Sequence, residues 1–336
     1  MVIASIHSSK DIPFKMAPLI FISTIITHLC GGSSGREGAA IQLGGSIANQ
    51  VGKVIKLNEN DQHIIIMCGM SAGFSALFGT PMAAAIFALE VISIGIMHYS
   101  ALVPCVTAAM VAYFMAKYFG VPAEVFPVTG IPEMDIYRFF QILVFGAVVA
   151  GVSILFCIML HTSEHLYKKV FKNSFIRIFA AGCLILLLTV VLRTDDYLGS
   201  GMSMIEHIFH TGQSEYYSFL IKMLFTALTL GAGFKGGEIV PSFCIGAAFG
   251  CAVASLMGMP TGLIAACGMV GVFCGVTNCP ITSLLISFEL FGFEGMPYYL
   301  VTVAVSYMLS GYYGLYRAQK IMYSKTETNF VNRVAK

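Results

Sequence analysis

Long uncharged stretches separated by short polar turns run through most of this chain. No Asp, Glu, Lys or Arg occurs in residues 239–288, and the stretches 62–89, 91–116 and 139–163 also lack these residues. A helix of about 20 apolar residues crosses a hydrocarbon core of about 30 Å, so each stretch is long enough to span a bilayer. The pattern predicts a polytopic membrane protein built from helices.

Glycine and proline interrupt several of these stretches. Such breaks occur at Gly79-Thr80-Pro81, Pro104, Pro260 and Pro280. Irregular backbone is tolerated at membrane depth only where protein or a water-filled path surrounds it. The sequence therefore predicts an all-α fold in which some helices are short, broken or re-entrant, preceded by a loop over residues 1–15.

The composition agrees with this pattern and excludes other classes of protein. Of 336 residues, 57% are hydrophobic and 11% are charged, which is outside the range of soluble domains. The basic residues behind the net charge of +2 are spread over loops and tails, so no nucleic-acid partner is predicted. No phosphate-binding loop, metal-ligand spacing or nucleophile with a base occurs. We therefore expect a protein that is not an enzyme and needs neither a metal nor a cofactor.

The charged residues that remain are sorted by sign along the chain. Basic residues gather in 168–177 and 317–336, and acidic residues in 133–135, 195–196 and 206–215. Because basic loops stay on the cytoplasmic side of a membrane, the C-terminus is predicted to be cytoplasmic.

A glycine-rich, charged turn at Gly31–Gly45 lies between an apolar run and an amphipathic helix pattern that reaches Val54. Glu37 is thereby placed at membrane depth, where an ionisable side chain is unfavourable and indicates function. Free backbone N–H groups at a helix start attract anions. We interpret the turn as an anion site with Glu37 as its titratable group. The alternative is a simple ion pair between Glu37 and Arg36.

A second turn, Lys235–Pro241, carries Glu238 at a helix N-terminus, where the helix dipole stabilises an acid. The N–H groups of Ile239 and Val240 are then free to face an anion. The alternative is that Lys235 neutralises Glu238 and that no anion binds.

The two halves of the sequence match when one is shifted by 199 positions. We interpret this match as two inverted repeats, residues 1–135 and 136–336, each bringing a broken helix to a common centre near the bilayer midplane. Convergent helix packing is the alternative. Two matched acids that end helices, Glu90 and Glu289, are interpreted as interfacial charges. The matches are Cys68-Gly69-Met70 with Cys267-Gly268-Met269, Pro81 with Pro280, Glu90 with Glu289, and Gly38 with Gly237.

These motifs resemble those of the CLC family of chloride channels and transporters. Gly35-Arg36-Glu37-Gly38, followed by Gln42-Leu43-Gly44-Gly45, is similar to the gating-glutamate motif of that family. The second turn, followed by Gly246, is similar to the family's second anion-site motif, and Leu315-Tyr316 is similar to the place of its central tyrosine. Glu238, where most members have an apolar residue, resembles the fluoride-selective bacterial branch.

The resemblance implies a role for each matching residue. Glu37 would be the gating and proton-coupling glutamate, Glu238 the second acidic group of the branch, and Tyr316 the central tyrosine. The branch usually has threonine where Val240 stands, so a polar group near Glu238 is missing here. The expected anion-binding residues are Gly35, Arg36, Gly38, Gly237, Ile239, Val240 and Tyr316.

The resemblance implies that the protein is a fluoride/proton antiporter that expels fluoride. The transported ions would be fluoride or chloride, and protons. It also implies a homodimer with one pore per subunit, as a multi-pass protein in the lipid bilayer of a bacterial inner membrane. The family's first helices would lie upstream of Met1, so the first repeat is expected to be N-terminally truncated. Two alternatives are a chloride channel or chloride/proton exchanger of the same family, and a truncated membrane fragment that does not transport.

Overall fold

The computed structural model describes residues 2–7 and 12–335, and α-helices form most of it. The helices are α1 (Val2–His7), α2 (Met16–Leu29), α3 (Glu37–Val54), α4 (Glu59–Phe78), α5 (Pro81–Glu90), α6 (Leu102–Tyr118), α7 (Ile136–Val170), α8 (Ser174–Leu192), α9 (Met202–Thr211), α10 (Ser218–Ala232), α11 (Ile239–Met257), α12 (Thr261–Thr277), α13 (Pro280–Phe291) and α14 (Met296–Leu309). The strands are β1 (Ser93–Ile94), β2 (Lys320–Tyr323) and β3 (Phe330–Val334).

The helix breaks occur at the glycine and proline positions that the sequence indicates. Gly79, with a φ of +70°, ends α4, and Pro81 opens α5. In the second half, Asn278 ends α12 in the left-handed conformation and Pro280 opens α13. Proline fits the first turn of a helix because the N–H that it lacks would have no partner there. Among the described residues, four helical segments are long and apolar enough to cross a membrane, and six more are apolar but shorter. The predicted all-α membrane fold with short helices is confirmed.

Close glycine contacts hold a helix pair together in each half. A Cβ on Gly246 of α11 would lie 2.3 Å from the carbonyl oxygen of Gly268 on α12. A Cβ on Gly44 of α3 would likewise lie 2.1 Å from the carbonyl oxygen of Gly69 on α4. Small residues let membrane helices approach until their backbones touch. The two-repeat division stays a prediction, which these parallel contacts support.

The loop predicted for residues 1–15 is wrong at its start, where residues 2–7 form α1. Val2 and Ile6, four residues apart on one helix face, are both buried. Gly45 of α3 leaves the space for Val2, because a Cβ there would lie 2.7 Å from the Val2 Cγ1. Tertiary burial thus makes a helix of a segment that is too short to be stable alone. Residues 1 and 8–11 lie outside the described part of the chain.

A small sheet near the C-terminus is the other departure from the helical expectation. β1 pairs in parallel with β2, and β2 pairs antiparallel with β3. Next to this sheet, the fully buried Gln319 donates hydrogen bonds to the carbonyl oxygens of Val91 and Thr277. The segment after α14 is thereby fastened to the ends of α5 and α12. The sequence did not predict these strands because their pairing joins segments that are far apart along the chain.

Glu90 and Glu289 each cap a half-helix of the opposite half. The Glu90 carboxylate accepts hydrogen bonds from the amides of Ile281, at 3.0 Å, and Thr282, at 2.9 Å, at the start of α13. Glu289 accepts from two amides at the start of α5, both at 2.9 Å. A carboxylate at this position satisfies free N–H groups and interacts favourably with the helix dipole. The interfacial interpretation is wrong for Glu90, which is 6% exposed.

We expect Glu90→Ala to lower the free energy of unfolding by about 2–3 kcal/mol, because buried amides would lose a charged acceptor. Glu289→Ala should cost only about 1 kcal/mol, since Glu289 is half-buried and water can replace it. Thermal unfolding in detergent, followed by the helical circular dichroism signal because the chain has no tryptophan, measures both effects. Glu294→Ala, which removes an exposed acid, is the control. Equal melting temperatures for Glu90→Ala and the control would contradict the capping role.

Candidate anion and proton site

Two glycine-rich turns, one from each half of the chain, meet through their backbones. The amide of Gly35 donates to the carbonyl oxygen of Gly237 at 2.8 Å, and the amide of Gly237 donates back to Gly35 at 2.7 Å. This antiparallel bridge lies directly before the starts of α3 and α11. The N-termini of both helices are therefore held side by side, as the sequence predicts.

The carboxylate of Glu37 occupies the space between these helix starts. Glu37 has no exposed surface, and its Oε1 accepts a hydrogen bond from the amide of Val240 at 3.0 Å. The amides of Arg36, Ile239 and Glu37 itself also face the carboxylate. A helix N-terminus with open amides is an anion site. Glu37 thus fills a position that a small anion could take.

Two glycines make room for this carboxylate. A Cβ on Gly35 would lie 2.0 Å from the Glu37 Oε2, and a Cβ on Gly237 would lie 2.3 Å from the Oε1. Gly38 permits the close approach of the two turns, since a Cβ there would lie 2.9 Å from the Cα of Gly237. The predicted glycines therefore shape the site rather than bind through side chains.

The charges at the two ends of the long helix α7 define two faces of the molecule. Asp135 caps the start of α7, and Lys168 and Lys169 lie in its last turn. With 35 residues, α7 is about 50 Å long, so these ends are on opposite sides of a membrane. Because α8 runs back from α7, Asp195 and Asp196 share the side of Asp135. We call this side the acidic face, and the side of Lys168 the basic face.

A cavity of about 630 Å³ reaches the site from the basic face. Glu238 and Tyr316 both line it, together with Gly38 and Gly237. Its wall also carries four basic residues and one acid, Glu164, which forms ion pairs with two of them. The basic residues are Lys168, Arg177, Lys235 and Arg317. Such a basic rim attracts anions and raises their local concentration.

Glu238 is the N-cap residue of α11 and is half-buried. Among the described residues, no ion pair joins it to Lys235, whose side chain is exposed. The alternative in which Lys235 neutralises Glu238 therefore has no contact to support it. Glu238 instead faces the cavity that leads to the basic face.

Contacts from α7 fix the loop that carries Tyr316. The Nε of Arg317 donates to the Nδ1 of His161 at 3.3 Å, and the other nitrogen of His161 lies 2.9 Å from the carbonyl oxygen of Gly314. Since a guanidinium only donates, Nδ1 is the acceptor and Nε2–H donates to Gly314. Arg317 also forms an ion pair with Glu164 at 3.1 Å. Tyr316 is thus held between two polar contacts to one helix.

A much smaller cavity, about 30 Å³ in volume, lies on the other side of Glu37. Glu37, Arg36, Val240 and Ser200 line it, together with Glu124 from the loop between α6 and α7. Arg36, an exposed residue, therefore borders the outer side of Glu37. The ion pair between Arg36 and Glu37, which was the alternative to an anion site, does not occur among the described residues.

Lys222 supports the wall of this small cavity. Its fully buried ammonium donates to the carbonyl oxygens of Tyr197, at 3.1 Å, Leu198, at 3.4 Å, and Gly199, at 2.9 Å. Ser200, the next residue, lines the cavity. Lys222 was not among the residues predicted from the sequence, although a single charge within an apolar helix indicates function. Glu124 and the His161–Arg317–Glu164 contacts were not predicted either, because no local sequence pattern indicates them.

The fold and this site define a class: a polytopic membrane protein in which helix N-termini from two halves enclose an anion-sized space with a carboxylate in it. The family model "Voltage gated chloride channel" matches residues 1–311. The chain therefore belongs to the CLC family.

Relatives and solved structures agree with this assignment. A "Chloride/fluoride channel protein" of Pseudomonas syringae pv. tomato is 38% identical over 97% of this chain and 73% of its own length. The "H(+)/Cl(-) exchange transporter ClcA" of Vibrio cholerae is 25% identical over 82% of this chain and 62% of its own. A crystal structure of a CLC-type fluoride/proton antiporter has a TM-score of 0.92 at 36% identity, covering 95% of this chain and 80% of that one. A cyanobacterial Cl⁻/H⁺ antiporter, with a TM-score of 0.79 at 18% identity over 92% of this chain and 76% of that one, shares the fold.

Proposed function

We propose that this chain exchanges fluoride for protons and expels fluoride through the site at Glu37. The observation that carries the proposal is the fully buried carboxylate of Glu37, which accepts a hydrogen bond from the amide of Val240. An ionised carboxylate in such a place needs the surrounding amides to stabilise it. The names of the Pseudomonas relative and of the antiporter with the 0.92 TM-score support fluoride as the anion.

Exchange follows from competition for the same amides. While Glu37 is ionised, its carboxylate accepts from Val240 and closes the path. A proton on Glu37 removes the charge that the helix N-terminus attracts, so the side chain leaves and an anion takes its place. When the anion departs, Glu37 loses its proton and returns. Each cycle thereby links the movement of an anion to the binding of a proton.

Glu238 and Tyr316 act in this proposal on the side of the basic face. Both line the inner cavity, where Tyr316 can donate its hydroxyl to an anion and Glu238 can hold a proton. Fluoride is small and strongly hydrated, so it needs several donors to replace its water. The amides of Ile239 and Val240 and the Tyr316 hydroxyl are the donors proposed here.

We place the protein in the bacterial inner membrane, with the basic face toward the cytoplasm. We also propose a homodimer with one pore per subunit. Exposed apolar side chains on α6, among them Val103, Phe114 and Met115, are available for burial by lipid or by a second subunit. Light scattering of the purified protein in detergent measures the number of chains.

Ion flux in proteoliposomes tests the proposal. With a fluoride electrode and pH kept at 7 or above, where little permeant HF exists, an imposed proton gradient should drive fluoride against its own gradient. Fluoride should be preferred over chloride, and protein-free liposomes should show neither effect. Fluoride movement that ignores the proton gradient would contradict antiport, and the absence of any anion flux would favour a membrane fragment that does not transport.

A second candidate function is a chloride channel or a chloride/proton exchanger of the same family. The family description and the name of the Vibrio relative favour it, as does Val240 where the fluoride branch usually has threonine. Glu238→Ile separates the two, because in the fluoride antiporter this change should alter the anion preference. An unchanged preference would favour the chloride alternative.

A further inference from the structure

Glu37 needs a route for its proton to the acidic face, and its own side chain does not reach solvent. Glu37 has no exposed surface in this conformation. Its Oε2 is fully buried and has no hydrogen-bond partner among the described residues. The small cavity lies next to Glu37 on that side, so a proton that travels between Glu37 in this conformation and the acidic face would cross it.

That cavity has room for a water molecule. Its volume is about 30 Å³, and a water needs about 10–15 Å³ of probe-occupied volume together with polar partners. Glu37 lines the cavity, and its Oε2 is a buried acceptor without a hydrogen-bond partner. The Glu124 carboxyl and the Ser200 hydroxyl are polar groups on the remaining lining. A bridging water would satisfy the unpaired oxygen.

Among the groups that line this cavity, Glu124 is suited to receive the proton. The guanidinium of Arg36 does not release a proton in proteins. Phe78, Leu77 and Met202 are apolar, and the Ser200 hydroxyl can pass a proton on but does not keep one. Glu124 lines the cavity and is half-buried, so part of this residue is open to solvent.

The charges around Glu124 favour its protonated form. Burial, and then the negative charge of Glu206 on α9, raise the pKa of Glu124, while the charge of Arg36 acts in the opposite direction. Glu124 lies in the loop between α6 and α7, outside the membrane-spanning helices. A raised pKa brings a carboxyl group closer to the conditions in which it can both take up and release a proton.

We propose that Glu124 is the proton-carrying residue at the outer mouth, exchanging protons with Glu37 through one water in the small cavity. The O–H bond of protonated Glu37 breaks as its proton passes to the water, and another proton of that water forms the O–H bond of Glu124. Glu37 becomes a carboxylate and binds the Val240 amide again. Glu124 then releases its proton to the solution on the acidic face. This inference rests on the proposed antiport and adds a second carboxyl group to it.

Fluoride/proton exchange at equal pH on both sides of proteoliposomes tests this step, because random protein orientation then has no effect. Glu124→Gln keeps the size of the side chain but cannot carry a proton, so we expect at least about a tenfold lower turnover and the loss of one inflection in the pH profile. Glu124→Asp should restore both in part. Glu206→Gln should keep the turnover and move that inflection to lower pH, because removal of a negative charge lowers the pKa of Glu124. Glu215→Gln, which changes an exposed acid outside the small cavity, is the matched control.

The outcomes separate this inference from the proposed function. A Glu124→Gln profile that has the wild-type shape, even at reduced turnover, would overturn the proton-carrying role and leave antiport standing. Wild-type protein without coupled flux would overturn antiport. In that case, infrared difference spectra between the wild type and Glu124→Gln still show whether the Glu124 carboxyl group is protonated. Its C=O band should persist on alkalinisation beyond the ordinary pKa of a glutamate, because burial and the charge of Glu206 raise the pKa of Glu124, and loss of the band at or below that ordinary pKa would contradict the inference.

Discussion

Glu37→Gln should abolish proton coupling while the protein stays folded. Glutamine has nearly the same shape and can still accept from the Val240 amide, but it carries neither a charge nor an exchangeable acid proton. Proton flux coupled to fluoride should fall by about a hundredfold or more, to the level of empty liposomes, and the remaining anion flux should no longer depend on pH. Parallel recordings with a fluoride electrode and a pH electrode measure both fluxes.

A matched control accompanies this variant. Glu294→Gln makes the same chemical change at an exposed position beyond α13. Its coupled flux should equal that of the wild type. Retention of coupled flux in Glu37→Gln would assign the proton to another group and would remove the basis of the exchange mechanism.

Gly35→Ala should expel the Glu37 carboxylate from its place. The three closest atoms to a Cβ at this position all belong to that carboxylate, at 2.0–2.4 Å. Gly35 does not have a positive φ, so the backbone itself allows alanine. Overpacking of this kind costs about 1–3 kcal/mol. We therefore expect an open, poorly coupled pore in which anion flux exceeds proton flux.

The double variant Gly35→Ala/Glu37→Ala shows whether this clash is the cause. With the carboxylate removed, the added methyl group has no close neighbour among those atoms, so Gly35→Ala should have little effect in the Glu37→Ala background. The two changes should thus be non-additive by about 1–3 kcal/mol in a double-mutant cycle of unfolding in detergent. Gly151→Ala, on α7 with nothing within 4 Å of its Cβ, is the control and should be neutral. Additive effects would place the strain outside the contact between Gly35 and Glu37.

The sequence predicted the parts of the site that depend on local chemistry. Glycines beside a charged residue at membrane depth indicated the turn at Glu37. The match between the two halves at a shift of 199 positions indicated that the turn at Glu238 is its counterpart. Gly79 and Pro81 marked a helix break because each is incompatible with an uninterrupted helix. These features can be predicted from sequence because glycine and proline determine the backbone conformation at their own positions, and because a buried charge is unfavourable wherever it occurs.

Contacts between distant segments were not predictable in this way. Glu90 looked like an interfacial charge because its sequence neighbours do not reveal that α13 begins beside it. Val2–His7 looked like a loop because only the space at Gly45 makes its burial favourable. For Glu124, the surrounding loop has no motif, and its role follows only from the cavity that it shares with Glu37.

The sequence by itself therefore determined the class of the protein, the helix breaks and the identity of the buried carboxyl group, because hydrophobicity, glycine, proline and charge act locally. The tertiary structure alone decided which amide Glu37 binds and which helix ends Glu90 and Glu289 cap. It also decided that Glu124 is the acid on the outer side of Glu37. Those outcomes depend on distances of about 3 Å between residues roughly 200 positions apart, and such distances arise only when the two halves pack against each other.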